Sequence, residues 1–350
     1  MTLQLAELAA FGWQNSDTAE LSADEIETCR PVRVVAVERS GLRIAGPGID
    51  TGIPPFRSGE DEEGAATVGD WLLLDGEALR PRRLLPRKSL LKRRAPGTGR
   101  QIQLIAANVD VLFIVTSCNQ DFNIARLERY LALAREAGAL PVILLTKADL
   151  ADDAGTYASA AADGLPGVFV AAIDARSAAV GGQLLPYWRA GQTAALVGSS
   201  GVGKSTLVNT LLGRDEIATA GIREDDDKGR HTTTSRALYR LANGAWLVDT
   251  PGMRELQLTD AEFGISAVFE DIVALAGDCR FGDCRHEGEP GCAVRAAIEA
   301  GDLDPARLAR WQKLHREETH NSASLAERRA KDRKFGKMVK RAMAEKRQRE

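Results

Sequence analysis

An α/β protein in several parts is what this chain predicts, and three observations predict it. The apolar run Thr193–Val197 leads into a glycine-rich turn and then a helical stretch, Ser205–Leu212, ended by Gly213, the pattern of a buried parallel strand feeding a helix. Other short apolar runs, Val111–Val115, Val168–Ala172 and Ala245–Val248, are strand-sized. Three of the five cysteines and one histidine cluster within residues 279–292, apart from all of these runs.

The turn after Val197 reads Gly198-Ser199-Ser200-Gly201-Val202-Gly203-Lys204-Ser205, the phosphate-binding pattern G-x-x-x-x-G-K-[ST] in the strand and helix context it requires. Backbone N–H groups of the loop and helix, through Thr206, are expected to cradle phosphates, with Lys204 on the β- and γ-phosphates and the Ser205 hydroxyl on Mg²⁺.

About fifty residues earlier stands Thr146-Lys147-Ala148-Asp149. The aspartate of such a tetrapeptide accepts from N1 and the 2-amino group of guanine, whereas adenine presents an acceptor there and would be repelled. The base motif precedes the phosphate loop, the reverse of an ordinary GTPase, so the fold class is a circularly permuted P-loop GTPase domain. The strand ending at Ala171-Ala172 stands where a Ser-Ala pair usually backs guanine, and with no hydroxyl the contact there falls to backbone N–H groups.

Downstream, Ala245–Val248 delivers Asp249-Thr250-Pro251-Gly252, a D-x-x-G motif in which Asp249 holds Mg²⁺ through water and the Gly252 N–H meets the γ-phosphate. Between the two motifs, Lys228-Gly229-Arg230-His231-Thr232-Thr233-Thr234 follows a charged run and reads as a switch loop, with Thr233 completing the Mg²⁺ shell when GTP is bound. Met253 follows Gly252, where a glutamine would orient water, so intrinsic hydrolysis is expected to be slow, and His231 is the local candidate to position the attacking water.

Upstream, Arg33–Val37, Leu42–Ala45 and Asp70–Asp75 are short strands separated by Gly-rich turns and an acidic loop, the pattern of a small β-barrel of the oligonucleotide-binding type. The run Arg80–Arg94 holds eight basic residues and no acid. The formal charge is −3, but the residues from Ser324 onward carry +7 and the rest −10. Two basic clusters in a chain that is acidic elsewhere point to a polyanion larger than a nucleotide, and scarce aromatics favour phosphate contact over base reading.

Cys279, Cys284, His286 and Cys292 form C-x4-C-x-H-x5-C. Three thiolates and one imidazole fill a tetrahedral Zn²⁺ shell with no open position, which describes a single structural zinc, and in a reducing compartment disulfides are not expected. Cys29 and Cys118 read as buried thiols. Pro305–His315 has helical spacing and should pack on the knuckle, and beyond Asn321 the chain is a basic helix former that orders on its partner. The start of the chain lacks a basic segment followed by an apolar core, so a cytoplasmic protein with no membrane segment is expected.

The barrel, the GSSGVGKS and DTPG motifs in permuted order, the GRHTTT switch and the cysteine knuckle together resemble the ribosome-small-subunit-dependent GTPase family RsgA, also called YjeQ, over roughly residues 30–300. The resemblance implies a bacterial factor in late maturation of the small ribosomal subunit. It would bind 16S ribosomal RNA, cycle between GTP and GDP, and hydrolyse GTP on the subunit, as a monomer. The expected organisation is an extension over 1–30, the barrel over 31–98, the permuted GTPase domain over 99–264, and a zinc domain with a basic helical tail over 265–350. Ala171-Ala172 and the first thirty residues, including Phe11-Gly12-Trp13, depart from the family pattern. Two other classes stay open: an RNA-binding module gated by nucleotide with negligible turnover, and a P-loop ATPase or kinase, which Asp149 opposes.

Overall fold

A computed structural model describes residues 5–76, 78–94, 102–213, 236–249 and 260–322. The chain forms two compact units, residues 1–257 with 263–270, and residues 258–262 with 271–350.

The first unit opens with three short helices, α1 (Leu5–Ala9), α2 (Asn15–Ala19) and α3 (Ala23–Thr28). Ser22 caps α3 in a reciprocal pair with Glu25, which satisfies two otherwise orphaned N–H groups. Strands β1 (Cys29–Val37), β2 (Leu42–Gly46), β3 (Ile49–Ile53), β4 (Trp71–Asp75) and β5 (Pro81–Leu84) follow, in the antiparallel order β3-β2-β1-β4-β5. Their alternate residues Val32, Val34, Ile44, Ile49, Leu72 and Leu74 bury a common interior, as the period of two requires of a small barrel. β6 (Leu90–Arg94) and β7 (Ile102–Ala107) pair antiparallel in a separate two-stranded sheet.

The N-terminal extension, residues 1–30, has a structural use. Trp13 meets Trp71 edge to face at 4.8 Å, and Phe11 stacks on Trp246 at 5.8 Å. The Trp246 Nε1–H donates to the Ala10 carbonyl at 2.9 Å, so the extension covers the seam where barrel and nucleotide sheet meet.

That seam is continuous β-structure. β8 (Val111–Ser117), β9 (Leu140–Thr146), β10 (Phe169–Ala172), β11 (Thr193–Val197) and β13 (Trp246–Asp249) are parallel, and β12 (Arg236–Arg240) runs antiparallel between β13 and β1. The order is β10-β9-β8-β11-β13-β12-β1. Every residue of β8 and β11 is buried, which explains their unbroken apolar sequences. Helices α4 (Ile124–Ala137), α5 (Ala154–Gly164), α6 (Val180–Leu184) and α7 (Lys204–Leu212) flank the sheet. A core of Phe113, Trp188, Leu196, Leu207 and Leu247 fills one face. Helix α8 (Glu262–Val268) follows.

The second unit contains α9 (Glu270–Gly277), the cysteine loop, α10 (Ala293–Ala300) and α11 (Pro305–Ser322). Helix α11 runs well past the expected His315. Arg307 holds Asp271 through two hydrogen bonds of 2.6 and 2.9 Å, tying α11 to α9. The basic tail beyond residue 322 lies outside the described residues.

Candidate nucleotide site and metal centre

All the nucleotide motifs within the described residues lie at the carboxyl ends of parallel strands, the edge where α/β sheets bind ligands. Thr146 ends β9, Ala171 and Ala172 end β10, Gly198 follows β11 and Asp249 ends β13. β11 lies between β8 and β13, and Asp249 stands one step beyond the Ala195–Val248 pair, on the strand next to the phosphate loop. Strand order in space is that of a P-loop GTPase, while chain order starts at β8, so the sheet is permuted.

The loop's backbone explains its glycines. Gly198 has φ +147°, and a Cβ there would fall 2.1 Å from the Val115 carbonyl oxygen. Gly203 has φ +95° as the N-cap of α7, against the Thr146 side chain. Lys204 is the first residue of α7 and Ser205 the second, so their neighbouring N–H groups are among those a helix leaves unpaired at its start. Lys204 Nζ donates to the Gly198 carbonyl at 2.7 Å and to that of Ser199. Ser200, Gly201 and Val202 complete the turn, with Val202 buried.

Thr146 joins the two halves of the site. Its buried hydroxyl lies 2.5 Å from the Val202 carbonyl and 3.1 Å from that of Thr116, so the first residue of the base motif fastens the phosphate loop. Lys147 follows with φ +57°, a left-handed conformation that turns the chain for Asp149 in a short 3₁₀ segment, Ala148–Leu150. Asp149 keeps its carboxylate at the surface, where its Oδ2 accepts from Arg176. The Asp249 side chain, and the whole of His231, Thr233 and Gly252, lie outside the described residues.

Two contacts were not legible beforehand. Arg126, on the first turn of α4, donates to Ser199 Oγ at 2.7 Å. Arg176 lies four residues past Ala172 and reaches Asp149 Oδ2 at 2.6 Å. A lone cation just beyond the base-backing dipeptide was the available signal for Arg176. Arg126 offered none, since α4 reaches the loop only through the fold.

In the second unit, one ligand atom from each of Cys279, Cys284, His286 and Cys292 lies within 4.8 Å of the others. His286 Nδ1 is 3.3 Å from Cys292 Sγ and 3.7 Å from Cys279 Sγ, and the two sulfurs are 3.9 Å apart. Bond lengths near 2.3 Å to sulfur and 2.0 Å to nitrogen give tetrahedron edges of about 3.5–3.8 Å, so the four groups fit a zinc shell. Burial raises the Cys279 thiol, but N–H groups of Val294 and Ala293 at the start of α10 lower it, and the net position is below the ordinary value. Burial, against Glu289, likewise lowers His286, which favours the neutral ligand form. Trp311 of α11 packs on the His286 ring at 5.6 Å, and Gln312 donates to the Arg285 carbonyl, so α11 does seat on the knuckle.

The basic run Arg80–Arg94 is less open than its sequence suggests. Arg83 pairs with Glu25 at 2.9 Å, Lys88 with Asp17 at 2.7 Å and Lys92 with Glu63 at 2.6 Å. Arg87 grips the buried Asp70 with two bonds of 2.8 Å. Much of this charge is therefore answered by acids of the extension and barrel.

The profile of the RsgA GTPase family matches residues 84–259. A relative from Vibrio parahaemolyticus, named small ribosomal subunit biogenesis GTPase RsgA 2, is 48% identical over 343 residues, covering 98% of this chain and 94% of its own. The chain belongs to the RsgA GTPase family. A second RsgA, from Mesorhizobium japonicum, is 50% identical over 328 residues, 92% of this chain and 93% of that one. The fold agrees: YjeQ from Thermotoga maritima superposes with a TM-score of 0.57 at 23% identity, over 82% of this chain and 97% of that one. YloQ, described as a circularly permuted GTPase, gives 0.57 at 21%, over 85% and 97%. As an RsgA-family member the chain is a GTP hydrolase. No helix among its described residues is long and apolar enough to cross a membrane.

Proposed function

We propose that this chain acts in late maturation of the small ribosomal subunit, binding ribosomal RNA and hydrolysing GTP to GDP and phosphate when the subunit is present. The observation that carries this is its likeness, over more than nine-tenths of its length, to two proteins named as small-subunit biogenesis GTPases. The working protein is a cytoplasmic monomer.

In this reading Asp149 accepts from guanine, and the N–H groups of Ala171 and Ala172 back it. The loop from Gly198 to Thr206 wraps the phosphates, and Lys204 turns from the loop carbonyls to the β- and γ-oxygens. Ser205, Thr233 and Asp249 hold Mg²⁺, which when bound neutralises charge on those oxygens. The Gly252 N–H meets the γ-phosphate and His231 orients the attacking water. Met253 cannot do so, and turnover therefore depends on the subunit pressing the switch inward. One zinc ion, on Cys279, Cys284, His286 and Cys292, orders the second unit. The spacing of these four groups supports that assignment.

GTP hydrolysis measured with and without isolated small and large subunits tests the proposal. Small subunits should raise turnover at least about tenfold, equivalent to roughly 1.4 kcal/mol of barrier. An unchanged rate with either subunit at low salt would leave a nucleotide-gated RNA-binding module with negligible turnover as the better account.

A further inference from the structure

The carboxylate assigned to read the base already has a cationic partner. Arg176 Nη2 donates to Asp149 Oδ2 at 2.6 Å. The loop after β10 sets this reach: the Arg176 N–H donates to Asp174 Oδ1 at 2.9 Å, and the Arg176 Nε sits 3.7 Å from that same oxygen. Asp174 thus turns the chain and aims the guanidinium along the edge where β9 and β10 end.

Guanine presents two N–H groups in one plane, N1–H and the 2-amino group, one to each oxygen of a carboxylate. A guanidinium presents the same planar fork of donors. The two are competitors for one acceptor. The Arg176 side chain is 64% exposed and that of Asp149 28%, so the pair is solvent-screened and weak enough for a base to displace.

We propose that Arg176 is a displaceable rival of guanine at Asp149, one that closes on the carboxylate as the base leaves and so sets the release rate and base selectivity of the site. This rests on the reading of Asp149 as the guanine acceptor. The competition has a selectivity consequence. Guanine needs both oxygens and must expel Arg176, whereas hypoxanthine offers N1–H alone, takes one oxygen and leaves the other to the arginine. Arg176 therefore narrows the preference for guanine over hypoxanthine.

The test is stopped-flow release of fluorescent GDP and IDP from the full chain, for the wild type, Arg176→Gln and Asp149→Asn. Arg176→Gln should slow GDP release about two- to fivefold, the scale of an exposed ion pair, and association, which no longer has to expel the arginine, should not fall. It should raise the GDP-over-IDP preference by the same factor, and the difference from wild type should shrink as salt rises from about 0.05 to 0.5 M. Faster release in Arg176→Gln would mean that the arginine holds the bound base, and would overturn the proposal. So would unchanged release and selectivity in Arg176→Gln while Asp149→Asn loses GDP affinity, a result that leaves the base reading intact. Unchanged GDP affinity in Asp149→Asn would remove both the base reading and the rivalry.

Discussion

Arg33 Nη2 donates to Thr193 Oγ1 at 2.7 Å, a bond between residues 160 positions apart that pins the first barrel strand to the strand carrying the phosphate loop. The arginine is fully buried. Its Nη1 donates to the Phe11 carbonyl at 2.6 Å, and the rings of Trp71 and Trp246 lie 5.7 and 5.9 Å from the guanidinium. Burial lowers Arg33 to about 10, against the raising influence of Asp110, Asp17 and Asp70, and the group stays charged at neutral pH. This cation thereby joins the extension, barrel and nucleotide sheet, alongside the β1–β12 pairing and the contacts of Trp246 with the extension.

Replacing Arg33 with leucine should cost about 3–5 kcal/mol, because the carbonyls, the Thr193 hydroxyl and the facing carboxylates lose a buried charged partner. Urea unfolding followed by fluorescence of the flanking tryptophans measures it. A loss under about 1 kcal/mol would show that the arginine is incidental.

Thr146→Val should detach the base motif from the phosphate loop. The Val202 carbonyl, the nearer of the two acceptors around this hydroxyl, loses its donor, at a cost of about 1–3 kcal/mol in stability, with weaker GDP binding. Thr146→Ser keeps the hydroxyl and should restore both in calorimetric titration. Normal GDP affinity in the valine variant would rule out the joint.

Asp149→Asn exchanges an acceptor for an amide that suits xanthine, so preference should move from GTP toward XTP, with a loss for GTP of about 2–3 kcal/mol. Competition binding with the two nucleotides reads the change directly.

Purified protein should hold one zinc per chain, and Cys284→Ala should lower metal content by mass spectrometry while GTP binding persists, since ligands and nucleotide motifs belong to different units. Full occupancy in that variant would show that these four residues are not the ligand set.

Because acids already answer much of the charge in Arg80–Arg94, the tail after Ser324 should supply more of the phosphate contacts. Deleting it should weaken subunit binding, flatten the salt dependence and leave basal turnover nearly unchanged. Equal salt slopes with and without the tail would return the role to the basic run.

The nucleotide sheet was legible because its signals are local. Thr193–Val197 appears as β11 without change, and the glycines of the phosphate loop have the positive φ that favours glycine, with the Val115 carbonyl leaving no room for a Cβ at Gly198. The Cys3His cluster was equally legible, since four candidate ligands within fourteen residues need only a loop to meet. Motif order alone disclosed the permutation.

The use of the first thirty residues was not legible. Phe11 and Trp13 are ordinary apolar residues until Trp246 and Trp71, far away in sequence, supply their surfaces. The pairing of the basic run was hidden for the same reason: a sequence counts the charges of Arg83, Arg87, Lys88 and Lys92 but does not say that Glu25, Asp70, Asp17 and Glu63 stand against them. Residue chemistry and spacing along the chain determined which reactions this protein is equipped for. Packing decided which charges remain free, how Thr146 binds the loop to the base motif, and how Arg33 welds the barrel to the sheet, because each depends on a partner brought near only when the apolar core closes.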